Sequence, residues 1–318
     1  MSTAEIAAGH GLSRPVKITV AIPFYSGVDR LAVALRSLMA QESNDWDGFV
    51  VDDAGPSPEA RDVVADIGGG RIRYVRNERN LGLAGNWNRC LELAEQDLVT
   101  IFHADDELRP EYVVGVLDAH AAFPDAVAVY TGAQVIGSAG TPVFSFPDEV
   151  KRFTRPRAHG GYIRVAGERG LASLLRGQHI FCPSLSYKRS RLPIPAFSAR
   201  WRQVTDLDLL ARILLEGGLL VGVPTPSYRY RRHESSQTAL LTASLDRFHE
   251  EFSVYDEIAQ EARVRGWDRA ARTARRAAIV RLHLLYRALE GVIGRDRAMY
   301  RSCMGLLRER RSGHGGPV

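Results

Sequence analysis

The chain predicts an α/β fold, an open and mostly parallel sheet covered by helices and followed by a helical C-terminal extension. Three observations carry that expectation: short β-branched runs alternate with stretches of helical spacing, the runs end in proline or paired acids, and glycines and prolines mark the joins. Val16 to Ile22 reads as the first strand, ended by Pro23, and Leu31, Ala34, Leu35 and Leu38 then recur at helical spacing. Phe49-Val50-Val51 is the second strand, closed by Asp52-Asp53 and the turn Ala54-Gly55-Pro56. Ala60, Val63, Val64 and Ile67 suit a helix stopped by Gly68-Gly69-Gly70, and Ile72 to Val75 gives a third strand. A helix over Ala84 to Ala94 leads to the fourth strand, Leu98 to Phe102. Pro110, at a first helical position, starts a helix to Phe123, and Ala126 to Tyr130 is the fifth strand.

Composition narrows the class. The 318 residues are 45% hydrophobic and 25% charged, ordinary for one large globular domain or two modest ones. The first fourteen residues lack a basic segment followed by an apolar one, and no apolar stretch approaches a membrane span. Cys90, Cys182 and Cys303 are odd in number and far apart, without metal-type spacing, so a reducing, cytoplasmic setting is expected. The net charge of +5 is unevenly placed. From Glu261 onward there are fourteen arginines, no lysine and five acids, a balance of +9, which leaves −4 for the first 260 residues. The basic character therefore belongs to the tail, and no nucleic-acid partner is expected.

The expected organisation is a flexible N-terminus over 1–15, a main domain over 16–240, amphipathic helices over 241–310 and a disordered tail over 311–318. In the tail region Leu245, Phe248, Phe252 and Tyr255 recur every three or four residues, as do Ile279, Leu282, Tyr286, Leu289 and Ile293, with arginines on the other faces. Packing on the main domain is the expectation, with a homodimer contact or peripheral attachment to the inner face of a membrane as the other readings.

In sheets of this type ligands bind at the carboxyl ends of the strands. Pro23-Phe24-Tyr25, Asp52-Asp53 and Asp105-Asp106 all fall there. One acidic pair alone reads as solvated turn residues, but two such pairs, each ending an apolar strand, point to a site. No Gly-x-Gly-x-x-Gly and no Walker lysine motif follows the first strand, so the phosphates of a bound nucleotide need a divalent cation. Mg²⁺ or Mn²⁺ suits one or two carboxylates together with diphosphate oxygens.

The segments "VAIPFYSGVDRLAVALRSLMAQ", "VVDDAG", "NLGLAGNWNRCLELAEQDLVTIFHADDELRPEYV" and "TDLDLLARILLEGG" follow one another as in the family-2 glycosyltransferases. The chain resembles these inverting, nucleotide-sugar-dependent enzymes of the GT-A fold from about Val16 to His233. The resemblance implies that Pro23 and Tyr25 line a nucleobase pocket, with Asp53 accepting a hydrogen bond from the base and Asp52 beside it. It implies Asp105 on the ribose and Asp106 on a metal, Mn²⁺ or Mg²⁺. Many members show Asp-x-Asp-Asp where this chain has His103 in place of the first acid, and members with only the trailing pair occur. Asp206 matches the family's general base, which takes the proton of the attacking acceptor hydroxyl. Asp208 competes with it two residues on, and Asp206 would be an N-cap if a helix starts there.

His233, after "SYRYRR", is assigned to the metal or diphosphate by the same resemblance, against a solvated histidine at an arginine-rich strand end. The segment from Gly137 to Arg169 is where such enzymes place acceptor loops. Trp201 suits a sugar-stacking ring or a hydrophobic anchor, and Cys182 a small buried residue in a strand. The function implied is transfer from a UDP-, GDP- or dTDP-sugar to a glycan, lipid-linked or small-molecule acceptor. A degenerate nucleotide-sugar-binding protein and a nucleotidyltransferase are the alternatives. The latter normally needs a basic, glycine-rich loop after the first strand, which "IPFYSGVDR" is not.

Overall fold

A computed structural model of the protein describes residues 16–144, 154–233 and 244–310, so the expectations for 1–15 and 311–318 lie outside the described residues. The first half alternates as expected: β1 (Ile18–Phe24), α1 (Val28–Met39), β2 (Trp46–Asp52), α2 (Ala60–Gly68), β3 (Ile72–Arg76), α3 (Gly82–Leu93) and β4 (Leu98–Ile101). Then come β5 (Glu107–Leu108), α4 (Tyr112–Ala122), β6 (Ala126–Ile136), β7 (Ile163–Ala166), α5 (Gly167–Gly177), β8 (Leu185–Lys188), α6 (Thr205–Leu215) and β9 (Leu219–Arg231). Helices α7 (Asp246–Val264), α8 (Asp268–Arg276), α9 (Ala278–Ile293) and α10 (Arg297–Glu309) complete the described chain.

Among the described residues one nine-stranded sheet runs β3-β2-β1-β4-β8-β6-β9-β5, with β7 added to β9. The half formed by β3, β2, β1 and β4 is wholly parallel; β8 enters antiparallel to both β4 and β6, so the sheet as a whole is mixed. Alternation across the pleat sends Ile18, Val20 and Ile22 to one face with α1, α2 and α4, while Ala21, Phe49, Val51, Val99 and Ile101 meet α3, α5, α6 and the C-terminal helices on the other. Both faces are covered, which is why the strands read as continuous apolar runs.

Three expectations change. Pro23 does not end β1, which continues to Phe24. Ala21 O, two residues earlier, accepts from Phe102 N, so position 23 turns its nitrogen toward β4, which pairs with β1 only as far as Ala21. The missing N–H falls where no ladder partner remains. Cys182 lies in a single 3₁₀ turn, Cys182–Ser184, that leads into β8, instead of in a strand. Pro110 precedes α4 by two residues instead of opening it.

The tail also differs in part. Phe248, Phe252 and Tyr255 are buried in the core shared with the sheet, as the spacing predicts, and Val280, Leu284 and Ala288 of α9 join them. The expected stripe of α9 is not the buried one: Leu282 is 46% exposed, Leu289 55% and Ile293 75%. The helix is apolar on two sides, separated on one flank by His283, Arg287 and Glu290, and its small residues decide which side packs. A Cβ on Gly291 would stand 3.1 Å from Asp296 O and Tyr300 N, so that face admits α10 closely.

One buried group makes the fold sensitive to acid. His120 on α4 is 8% exposed and its Nε2 lies 3.1 Å from Ser186 Oγ on β8. Burial, with Lys188 adding to it, lowers its pKa from 6.5 to about 4. The folded value is depressed, so the group contributes stability above about pH 6.5 that is lost as pH falls through 4. We expect wild type to lose about 3 kcal/mol more than His120→Gln over that interval in denaturant titrations. Parallel pH profiles for the two proteins would refute the assignment.

Candidate functional site

A cleft of about 1100 Å³ opens at the carboxyl ends of the strands, where the chain leaves β1, β2, β4 and β9. Pro23, Tyr25, Asp53, His103, Asp105, Asp206 and His233 all line it. Asp52, Asp106 and Trp201 do not open onto it.

On the β1–β2 side, Tyr25 stands 50% exposed at the rim. A Cβ on Gly55 would come 1.8 Å from the Tyr25 carbonyl oxygen, so only glycine lets the 54–56 turn approach. Asp53 shapes the wall opposite. Its Oδ1 accepts from Asn77 Nδ2 and Leu81 N, both at 2.8 Å, and its Oδ2 accepts from Gly82 N at 3.0 Å. Each carboxylate oxygen accepts two bonds, so Oδ2 keeps one free acceptor position toward the cleft. Asp52 is placed differently from its neighbour. It is fully buried, accepts from Gly55 N at 2.7 Å, and is tied to the Tyr74 hydroxyl and the Arg76 guanidinium. Its carboxylate holds β2, β3 and the 54–56 turn together and faces away from the cleft, because successive residues of a strand point to opposite faces.

The acidic pair after β4 is divided in the same way. Asp106 is buried; its Oδ2 accepts from the Tyr228 hydroxyl at 2.8 Å and its Oδ1 from Arg231 N at 2.6 Å, both on β9. Burial pushes its carboxyl well above the usual carboxylate range, and the Asp105 charge adds to that, against the two bonds from β9. Asp105 faces the cleft. Burial acts to raise its pKa, but the His233 Nε2 bond at 2.9 Å, the largest of the opposing effects, holds it below the ordinary value. His103, packed 5.1 Å from the Trp87 ring, is lowered by burial despite Asp105, which favours the neutral imidazole.

Donor atoms of His103, Asp105 and Asp106 lie within 4.8 Å of one another, and His103 Nε2 is buried with no hydrogen-bond partner. The nitrogen that faces the carboxyls is Nδ1, 3.9 Å from Asp106 Oδ2, and an imidazole beside two carboxyls is a donor set that fits a divalent cation of the Mn²⁺ or Mg²⁺ type. His233 stands outside that group and bears on it through Asp105.

The two candidate bases are separated by their partners. Helix α6 starts at Thr205 with Val204 as its cap, so Asp206 is the second helical residue and not an N-cap. Its carboxylate lies in the cleft beside Cys182 and Tyr187, with the half-buried Arg247 close enough to interact. Asp208 points elsewhere, its Oδ2 alone accepting from Arg212 Nε at 2.9 Å and lying 2.8 Å from Nη2. Trp201 is 6% exposed with Arg200 stacked on its ring, a hydrophobic anchor.

Several residues that shape the site were not legible beforehand. Tyr228 and the Arg231 backbone anchor Asp106, while the Arg231 side chain binds Asp105 O at 2.9 Å, Ser138 O at 2.9 Å and Glu107. His103 read as the loss of an acid, although an imidazole at that position is itself a ligand type. The far wall includes Tyr286 and Arg287 of α9, more than 50 residues past His233.

The sequence pattern of "Glycosyl transferase family 2" matches residues 19–173. The succinoglycan biosynthesis protein ExoO of Rhizobium meliloti is 24% identical over 231 residues, 70% of this chain and 63% of that one. The amylovoran biosynthesis glycosyltransferase AmsB of Erwinia amylovora is 31% identical over 97 residues, 30% of this chain and 32% of that one. Such alignments take in between 14% and 63% of the curated relatives' lengths. Among solved structures, S. aureus TarS 1-349 in complex with UDP-GlcNAc superposes with a TM-score of 0.55 at 16% identity, over 92% of both chains. Sheet order, cleft position and this match agree on a GT-A-type fold, and the segment 19–173 carries the sequence pattern of glycosyl transferase family 2.

Proposed function

We propose that the protein transfers a sugar from a nucleoside-diphosphate donor to an acceptor hydroxyl in one displacement with inversion, assisted by Mn²⁺ or Mg²⁺. The observation that carries this reading is that Asp206, and not Asp208, opens onto the cleft shared by Asp53, His103 and Asp105. Tyr25 and Asp53 would hold the base, the ring by stacking and the carboxylate through its free acceptor position. Asp105 and His103 would meet the metal-diphosphate, with Asp106 anchoring their loop from behind and His233 keeping Asp105 oriented. A bound divalent cation would offset the charge that grows on the departing diphosphate. Asp206 would accept the proton of the attacking hydroxyl, its charge favoured by the first turn of α6. Residues 16–240 would form the transfer unit, with the 241–310 helices closing the acceptor side at a cytoplasmic membrane face.

The relatives' names point to a glycan product, and the S. aureus neighbour's ligand puts UDP-sugars first for testing. In thermal-shift measurements with UDP-, GDP- and dTDP-sugars, one nucleotide class should stabilise the protein, and more so with Mn²⁺. At a hundredfold excess over Kd the stabilisation is about 2.7 kcal/mol. Response to nucleoside triphosphates alone would favour nucleotidyl transfer, and donor binding without turnover on any acceptor would favour a degenerate binder.

A further inference from the structure

The face that α9 leaves uncovered consists of Leu282, Leu285, Leu289, Val292 and Ile293, which are between 46% and 75% exposed. No polar residue interrupts it, because these positions fall within one arc of the helix at 100° per residue. At one end the strip enters the cleft, since Ile279, Leu282 and Tyr286 line the cleft wall. At the other end lie Arg295, Arg297 and Arg301, all exposed. Asp296, the acid between them, is occupied as the cap of α10, accepting from Ala298 N and Met299 N at 3.0 Å. No described helix is long and apolar enough to cross a membrane.

We propose that α9 lies in the headgroup plane of an anionic bilayer, with this strip in the acyl boundary and the arginines on lipid phosphates. The charge favours that occupant. From Glu261 the chain carries +9, which attracts an anionic surface and repels a second copy of the same segment. Because the strip continues into the cleft wall, the bilayer sets the level of the cleft mouth. The acceptor is then a hydroxyl carried on a lipid anchored in that membrane. This last step rests on the sugar-transfer reading; the membrane contact does not.

The test is co-sedimentation of the full chain with phosphatidylcholine vesicles, with and without phosphatidylglycerol, and no sugar nucleotide present. Wild type should bind the anionic vesicles only, and less as salt rises. Leu285→Glu/Leu289→Glu should bind them at least roughly tenfold more weakly, while keeping the wild-type thermal shift with the nucleotide sugar, since neither residue lines the cleft. Arg295→Glu/Arg297→Glu, which leaves the apolar strip intact, should also weaken binding. Equal binding of wild type to both vesicle types, unchanged binding by the leucine variant, or a wild-type dimer that the leucine variant dissociates would each overturn the proposal. Failure of the donor screen with vesicle binding intact would count against sugar transfer alone.

Discussion

Asp206→Asn should leave donor binding at wild-type strength and lower transfer roughly a hundredfold to ten-thousandfold, the usual cost of losing general-base assistance. The amide keeps the shape of the side chain at the second position of α6 but cannot take the acceptor's proton. Asp208→Asn is the matched control. Its carboxylate is committed to Arg212, which in turn binds Pro195 O at 3.4 Å and also holds Ala196 O. That substitution should loosen the segment before α6, lowering the melting temperature while turnover per folded molecule stays near wild type. The measurement is initial rate with a competent donor and acceptor pair, beside calorimetric donor affinity. Inactivity confined to Asp208→Asn would transfer the role to Asp208. Equal rates in all three proteins would remove proton abstraction from both.

The second large effect concerns the acidic pair. Asp105 faces the cleft and is held as an anion, whereas Asp106 is buried, pushed toward its protonated form and occupied by Tyr228 and Arg231. Asp105→Asn should therefore weaken nucleoside diphosphate binding in Mn²⁺ by at least roughly tenfold to a hundredfold, and EDTA should then have little further effect. Asp106→Asn resembles the protonated acid. Its carbonyl can still accept from Arg231 N, and the Tyr228 hydroxyl can accept from the new amide. The smaller loss is expected there. If EDTA weakens Asp105→Asn as much as wild type, the cation is not held by Asp105; if Asp106→Asn is the weaker binder, Asp106 holds the metal and Asp105 the ribose, as the family resemblance implies.

Much of the parallel half was legible because local and global preferences agree there. Strands β1, β2 and β4 are buried on both faces, helices α1 and α2 show clear 3.6-residue spacing, and each join carries its own glycine or acid. The strand-end aspartates were legible as a group but not individually. Asp52 and Asp53 are adjacent letters, yet one is fully buried against Arg76 and the other lines the cleft, a division made by the pleat and by partners more than 20 residues away. Strand β5 has two residues, too few for any periodicity. Strand β9 carries Pro224 and Pro226 and changes partner along its length, from β7 to β5, with register shifts against β6. Its prolines argue against a central strand until the bulges that accommodate them are seen. In α9 the choice of buried face was set by Ala288 and Gly291, whose lack of bulk carries no hydrophobic signal.

The bonds that seat Asp106 span 122 and 125 residues of chain. A ribosome must therefore synthesise β9 before the acidic loop has anything to close upon, and until then a carboxyl destined for burial stays in water. Loop closure over such a distance belongs to the late, slow part of folding. The recognisable segment 19–173 is thus a signature and not an independent binding module. Expressed alone it would keep Asp53, His103 and Asp105 but lack Tyr228, Arg231 and Asp206, and fragments or chimaeras cut between Ser173 and Arg231 would separate the motif from the strand that gives it shape.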